Sequence, residues 1–318
     1  MSILILGALI IDLIVGDPRG IPHPVVLMGS FIKKCERVLR KTARRALWLK
    51  TGGVLLVIAV CTAAYGITWS LIWLAGTVHP YLALVVHLWL LSTTLAVKSL
   101  VQHARAVAEP LGRGDIPAAR QRVSLIVGRD TGGLNEREIS RATVETVAEN
   151  TVDGILSPLF YAFIGGAPLA MMYKAVNTMD SMIGHRHKDY LHLGWAAARL
   201  DDIANYIPAR LAGLLYIIIS IGSPGGIGPT VRAILKDAPN HPSPNSGIPE
   251  AAVAGALGVQ LGGTNHYRGE VSHRAFMGQE KYPLNHRHIQ QALNLTYGVT
   301  ALAVVVGILL RFLYEGRF

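Results

Sequence analysis

Four polar clusters carry most of the residue types in this chain that can do chemistry. The densest runs Glu138-Ile-Ser-Arg-Ala-Thr-Val-Glu-Thr-Val-Ala-Glu-Asn-Thr-Val-Asp-Gly154. On a helix, Glu138, Arg141, Glu145 and Glu149 share one face. A solvated, salt-bridged stripe has the same spacing. Asn150 and Asp153, however, extend the acidic end to the point where an apolar stretch begins. Carboxylates gathered at such a boundary suit Mg²⁺, which takes oxygen ligands and commonly bridges phosphates.

Two further clusters read as a pair. Lys174-Ala-Val-Asn-Thr-Met-Asp-Ser181 sets Asn177, Asp180 and Ser181 on one helical side, and Leu200-Asp-Asp-Ile-Ala-Asn-Tyr-Ile-Pro-Ala-Arg210 sets Asp201 and Asn205 on another. Two such helices facing each other would hold Mg²⁺ with a polyphosphate, Lys174 and Arg210 neutralising its oxygens. Helix capping and polar contacts between helices are the structural alternative, but ionisable residues beside membrane segments are functional by default. The fourth cluster is Asn240-His-Pro-Ser-Pro-Asn-Ser-Gly-Ile-Pro-Glu-Ala-Ala252. Its prolines stiffen a loop, and Pro249 suits the first turn of a helix over 249–262. Asn245, Ser246 and the Gly247 amide would surround an N-terminus suited to a phosphate or carboxylate; a plain cap by Ser246 is the alternative.

Other motifs are weaker. Asp12, Gly16-Asp-Pro18 and Pro22-His-Pro24 make a stiff turn near the N-terminus, and His185-Arg-His187 reads as an exposed basic loop. Gly128 to Gly133 has the spacing of a phosphate-binding Walker loop, but Leu134-Asn135 stands where Lys-Ser/Thr is required. G-x-S-x-G, H-E-x-x-H and C-x-x-C are absent.

The elements that position these clusters are apolar. Of the 318 residues, 51% are hydrophobic and 16% charged, and mean hydropathy is +0.38. Soluble domains average about 25% charged residues. No Asp, Glu, Lys or Arg occurs for 47 residues between Lys50 and Lys98, room for two spans of about 20 residues each. Shorter uncharged gaps follow at 154–173, 211–231 and 288–310. The chain therefore reads as an all-α, polytopic integral membrane protein forming a single domain. Its parts are an N-terminal segment with a basic surface helix (1–50), a transmembrane hairpin (52–97), a cytosolic helical lobe (98–153), broken or re-entrant helices and active-site loops (154–263), and a C-terminal span (288–313). The break follows from Pro158, Gly165, Gly166 and Pro168 in one weak span and Ser223-Pro-Gly-Gly226 in the next.

The net charge is +10, yet Lys33, Lys34, Arg37, Arg40, Lys41, Arg44, Arg45 and Lys50 supply eight of the positive charges in one stretch. Such a cluster before a hairpin follows the positive-inside rule and meets anionic lipid headgroups, so nucleic acid is excluded as the main partner. Cys35 and Cys61 suggest neither a disulfide framework nor a zinc site. The first charge is Asp12, so the segment 1–16 lacks the basic start of a cleaved signal and is expected to be retained. Inside it, Asp12 must face protein or water.

In consistent order from Asp12 to about residue 263, these clusters resemble the adenosylcobinamide-phosphate synthase family of cobalamin biosynthesis. The resemblance is carried by Gly16-Asp-Pro, Pro22-His-Pro-Val, the run Ser140–Gly154, Lys174–Ser181, Gly184-His-Arg, Ala198-Arg-Leu-Asp-Asp202, Asn205–Arg210 and His241–Gly247 with Pro249-Glu-Ala. It implies a multi-pass enzyme of the inner (cytoplasmic) membrane that joins adenosylcobyric acid to (R)-1-aminopropan-2-ol or its O-phosphate, using ATP and Mg²⁺. A homo-oligomer and contact with other enzymes of the pathway are further expectations. Within that reaction, Glu145, Glu149, Asp153, Asp180, Asp201 and Asp202 are expected around Mg²⁺–ATP, with Lys174, Arg141 and Arg210 as cations. Asn177, Asn245, Ser246 and Gly247 would help bind phosphate, and His241 or His185 would take the proton of the amine. Two other readings stand beside it: a Mg²⁺-dependent membrane prenyl- or phosphotransferase, which the Asp201-Asp-x-x-Asn205 pattern would suit, and a non-catalytic sensor related to the family.

Overall fold

A computed structural model describes residues 1–16, 23–42, 45–184, 190–267 and 269–315. Asp17-Pro18, His185-Arg-His187 and Arg44 of the motifs above lie outside them. The helices are α1 (Ser2–Ile14), α2 (Pro24–Thr42), α3 (Ala46–Val78), α4 (Pro80–Ser92), α5 (Val97–Gly112), α6 (Ile116–Val123) and α7 (Glu136–Thr151). They continue with α8 (Ser157–Ile183), α9 (Trp195–Ala204), α10 (Tyr206–Ile219), α11 (Ile227–Lys236), α12 (Gly247–Leu257) and α13 (Arg287–Glu315). Among the described residues the one strand pair is an antiparallel hairpin, β1 (Leu261–Tyr267) with β2 (Glu270–Met277).

Two compact units divide the chain. The first comprises 1–96, 153–205 and the end of α13 from Gly307; the second comprises 97–152 and 206–306. Among the described residues, four helical runs are long and apolar enough to cross a membrane: Ala46–Val78, Pro80–Gly112, Glu136–Ile183 and Arg287–Tyr314. A fifth span arises if Trp195–Ala204 and Tyr206–Gly222, bent by 43°, count as one. The uncharged gap between Lys50 and Lys98 thus becomes the α3–α4 hairpin. The basic stretch, expected as a helix over 31–50, instead divides between α2, which starts earlier at Pro24, and the first turn of α3.

In the first unit, α3 packs on α4, α8 and α9. Its other face exposes Leu55, Ile58, Ile67, Trp69 and Trp73. An apolar surface of this kind is stable against lipid and not against water. Near the start of α3 the Lys50 ammonium stands 3.9 Å from the centre of the Trp195 ring, and Arg40 stacks on Tyr190 at 4.8 Å. Asp12 is 2% exposed, so it faces protein as its position in an apolar helix demands.

The expected break in α8 occurs at Gly165–Gly166. Gly166 has φ +65° and ψ −157°, a conformation open essentially to glycine alone. The helix restarts at Ala167-Pro168, and the freed Ala167 N–H donates to His87 Nε2 of α4 at 3.2 Å. A broken helix inside a membrane protein survives where protein groups satisfy its backbone in this way.

In the second unit α12 is buried along its whole length and packs on α7, α10 and α11. It ends at Leu257, earlier than a helix over 249–262, because Gly258 takes the left-handed conformation that terminates helices. Chain from Leu261 then enters the hairpin, whose register shifts at a bulge between Leu261 and Gly263.

A methyl group at Gly166 would combine a disfavoured backbone with a contact of 3.1 Å to the His87 ring, whereas one at Gly66 in α3 meets nothing within 4 Å. Gly166→Ala is therefore expected to cost about 1–3 kcal/mol and Gly66→Ala to change stability by less than about 1 kcal/mol. Thermal unfolding of both variants in nanodiscs checks the contrast.

Candidate functional site

Each unit gathers its own set of the polar residues singled out above. In the first unit α8 and α9 pack together, which opposes the Lys174–Ser181 and Leu200–Asn205 clusters as their spacing requires. Asn205 is the hub. Its side-chain oxygen accepts hydrogen bonds from Ser157 Oγ at 2.6 Å and Tyr173 Oη at 2.8 Å, and its nitrogen donates to Asp201 Oδ2 at 3.0 Å. Tyr173 lies stacked on Tyr161, whose hydroxyl donates to the Ala204 carbonyl. A turn of π-helix at Val152–Leu156 brings the Asp153 carbonyl within 3.3 Å of the same Tyr173 hydroxyl.

This scaffold fixes the Asp201 carboxylate while leaving it incompletely bonded. Its Oδ1 is buried and has no hydrogen-bond partner among the described residues. Asp180 and Asp202 stand beside it as like charges, the Asn177 side chain offsets them with a hydrogen-bonding interaction, and Arg199 lies 3.8 Å from Asp202. Among the described residues no three His, Cys, Asp or Glu side chains already form a metal cage. Mg²⁺ does not need one, since it is usually held by one or two carboxylates together with waters and substrate phosphates. A buried, half-satisfied carboxylate beside two others fits such an ion.

Glu145 and Glu149 belong to the second unit, where the chemistry differs. Both Glu145 oxygens are engaged. Oε2 accepts from Arg129 Nη2, Oε1 accepts from the Gly262 N–H at 2.8 Å, and Arg141 Nη1 lies 3.7 Å away. Arg141 itself donates to the carbonyls of Gly262 and Thr264 and to Asn265 Oδ1, so it clamps β1 onto α7. Asn265 Oδ1 also accepts from Arg129 Nη1 at 2.7 Å. Glu138, expected on the same stripe, makes the capping box of α7 with Asn135.

The loop before α12 is built by its own side chains. Ser243 Oγ accepts from the Asn245 and Ser246 N–H groups, and Asn245 Oδ1 accepts from Arg210 Nη1 at 3.1 Å. Arg210 stacks on Tyr206, with 3.3 Å to the ring centre. Ser246 stands at the N-cap position but donates its hydroxyl to Glu149 Oε1 at 3.1 Å instead of capping. Gly247 packs against His241 and the Ala238 carbonyl.

Beyond the loop, a polar cavity of about 120 Å³ is lined by Arg129, Glu145, Glu149, Glu250, Tyr267 and Arg274, among others. Glu250 is 1% exposed, and its Oε2 has no hydrogen-bond partner among the described residues. Its Oε1 lies 3.6 Å from His241 Nε2 and 3.9 Å from Arg274 Nη1. Burial, reinforced by Glu145 and Glu149, holds the Glu250 carboxyl well above the ordinary carboxylate range. Arg129, Glu250 and Arg274 were not among the residues expected to act. Glu250 was legible only as part of Pro249-Glu-Ala, and nothing local marks Arg129 or Arg274.

Fold and sites together define a polytopic, largely helical membrane protein with two buried polar centres. The family model for CobD/Cbib protein matches residues 5–296. A cobalamin biosynthesis protein CobD of Geobacter metallireducens is 48% identical over 303 residues, covering 95% of this chain and 94% of that protein. A Klebsiella pneumoniae protein of the same name is 42% identical over 309 residues, covering 97% of each chain. The cobalamin biosynthesis protein CbiB of Salmonella arizonae is 43% identical over 309 residues, covering 96% of this chain and 95% of its own. The chain belongs to the CobD/CbiB family. No solved structure matches it.

Two outcomes follow for the second unit. Removing Arg129 leaves Glu145 charged and buried, so Arg129→Met should lower stability by about 3–5 kcal/mol, and adding Glu145→Gln should restore much of it in chemical unfolding. A carboxyl whose folded-state pKa is raised gives stability that is fully present below its unfolded pKa and is lost as pH rises through the folded one. The wild type should therefore lose thermal stability relative to Glu250→Gln on going from about pH 5 to about pH 8; parallel profiles would contradict a buried, unpartnered Glu250.

Proposed function

We propose that this protein acts in cobalamin biosynthesis as an enzyme of the inner membrane, its chemistry facing the cytoplasm. It joins the carboxylate of adenosylcobyric acid to aminopropan-2-ol or its O-phosphate in an amide bond, at the expense of ATP. The observation that carries this reading is the family relation over nearly the whole chain, with relatives named for cobalamin biosynthesis. The half-bonded Asp201 between α8 and α9 supports it from the geometry.

A carboxylate and an amine do not condense in water at useful rates, so the acid must first be activated. In the economical route the corrinoid carboxylate displaces ADP from the γ-phosphorus, giving an acyl phosphate. The amine then attacks the acyl carbon and inorganic phosphate leaves. Asp201, with Asp180 and Asp202, would hold Mg²⁺, which supplies charge neutralisation on the phosphate oxygens. Lys174, on the same helix as Asp180, would supply positive charge to the phosphate oxygens. Ser157, Tyr173 and Asn205 keep the Asp201 carboxylate in one orientation, so the site is organised before substrate arrives.

Protein in nanodiscs incubated with adenosylcobyric acid, aminopropanol phosphate, ATP and Mg²⁺ should yield the amide by mass spectrometry. Asp201→Asn should cut turnover by about 100-fold or more while leaving the folded protein in the membrane. Near-normal turnover in that variant would remove Asp201 from the site. Absence of any ATP-dependent amide, with either amine, would overturn the ligase reading.

A further inference from the structure

The basic stretch ahead of the first strong span takes no part in the chemistry above. Positive charge beside a span orients it during insertion and needs no lasting ligand. In the structure that stretch becomes a surface. α2 carries three stripes at helical spacing, and each meets a different environment.

One stripe docks on protein. Val25, Met28, Ile32, Cys35 and Leu39 recur at i, i+3, i+7, i+10 and i+14; Ile32 is buried and the others are half-buried. Gly29, beside them, faces Met182 in the last turn of α8, and Leu39 lies against Gly52 in the second turn of α3. Roughly 15 Å of helix separates Gly29 from Leu39. These contacts fall in terminal turns of α8 and α3, so α2 passes across helix ends. With its 19 residues α2 is long enough to cross a membrane but not apolar enough.

The second stripe is apolar and uncovered: Leu27, Phe31 and Val38, at i, i+4 and i+11, are exposed. The chain then enters α3 with Leu47 and Trp48 exposed, and from Leu47 the same spacing leads to Leu55 and Ile58 on the lipid face. The third stripe is basic. Lys33, Lys34, Arg37 and Lys41 are all exposed, and Glu36, the one acidic residue of α2, is engaged by Arg40.

Water suits the basic stripe and not the apolar one, and lipid tails do the opposite. The boundary between them suits both, since apolar side chains reach the acyl chains while the cationic groups beside them meet phosphate oxygens. An acidic protein would match the charge alone. Direct continuation of the chain into a lipid-facing helix favours the membrane.

We infer that α2 lies in the plane of the membrane surface and docks on anionic phospholipid. Leu27, Phe31 and Val38 enter the acyl region, and Lys33, Lys34, Arg37 and Lys41 bind the headgroups. At about fivefold in affinity for each basic side chain, four of them enrich anionic lipid around α2. The inference does not depend on the reaction proposed above.

The test uses the full-length protein with Val38→Cys in a Cys35→Ser, Cys61→Ser background, carrying an environment-sensitive fluorophore. Nanodiscs of equal parts phosphatidylcholine and phosphatidylglycerol carry bromine on the acyl chains of one lipid or of the other. Quenching should be at least about twofold stronger when phosphatidylglycerol is brominated. Replacing Lys33, Lys34, Arg37 and Lys41 together by Gln should remove the preference, and raising salt from about 0.1 M to about 1 M should weaken it. A label at Trp73→Cys, towards the other end of α3, should show none. Native mass spectrometry needs no label: the wild type should retain phosphatidylglycerol over phosphatidylcholine, and the four-Gln variant should lose that selectivity. Equal quenching by the two lipids, or a preference that survives in the four-Gln variant, would overturn the inference. A label reached by aqueous iodide and by neither brominated lipid would place the stripe in water. One shielded from both would assign it to a protein partner, and either result counts equally against lipid docking.

Discussion

A chain this apolar has to satisfy its polar groups from within, since lipid offers no hydrogen bonds. That constraint explains the most unusual local features of the fold. Where α8 breaks at Gly165–Gly166, His87 from α4 accepts the freed Ala167 N–H. Where α9 gives way to α10, Asn205 binds Ser157, Tyr173 and Asp201 together. Where β1 runs past α7, Arg141 and Arg129 saturate the Gly262, Thr264 and Asn265 oxygens. Irregular backbone and buried charge occur in this chain where a partner has been supplied. Against that background, two buried carboxyl oxygens among the described residues, on Asp201 and Glu250, stand without a hydrogen-bond partner.

The two polar centres differ in the residues that support them. Around Asp201 the neighbours are further carboxylates, amides and hydroxyls, the oxygen donors that the proposed Mg²⁺ would require. Around Glu250 guanidinium groups alternate with carboxylates, and negative charge is already largely compensated. Ring stacking and hydrogen bonds hold Asp201 in place; ion pairs together with hydrogen bonds that reach up to 136 positions of sequence, from Arg129 to Asn265, hold the walls of the other cavity. One centre is assembled from neighbouring helices, the other by bringing together distant segments of chain.

This difference decides how much the sequence discloses. Charge gaps place α3, α4 and the final span because an uncharged run of such length has few other uses. Gly165, Gly166 and Pro168 announce the break in α8, and α8 packs on α9 with Asp180 beside Asp201. The hairpin escapes because Leu-Gly-Gly-Thr-Asn-His-Tyr267 lacks the alternation of a strand. Arg141, on another element, holds it in place. For the same reason the sequence does not show that Arg141, expected as a cation, and Glu145, expected beside Mg²⁺, are engaged by β1 and Arg129. Arg129 and Arg274 carry no local signal, since their importance arises only when residues far apart in sequence meet.

In the second unit burial and neighbouring charge work on the carboxylates one by one. Arg129 and Arg141 offset Glu145, and Ser246 donates to Glu149. Glu250 holds its proton more tightly than an ordinary carboxyl because ionising it would bury a charge next to Glu145 and Glu149. The lining of one cavity therefore carries carboxylates in three different electrostatic settings, decided by residues that lie elsewhere in the sequence.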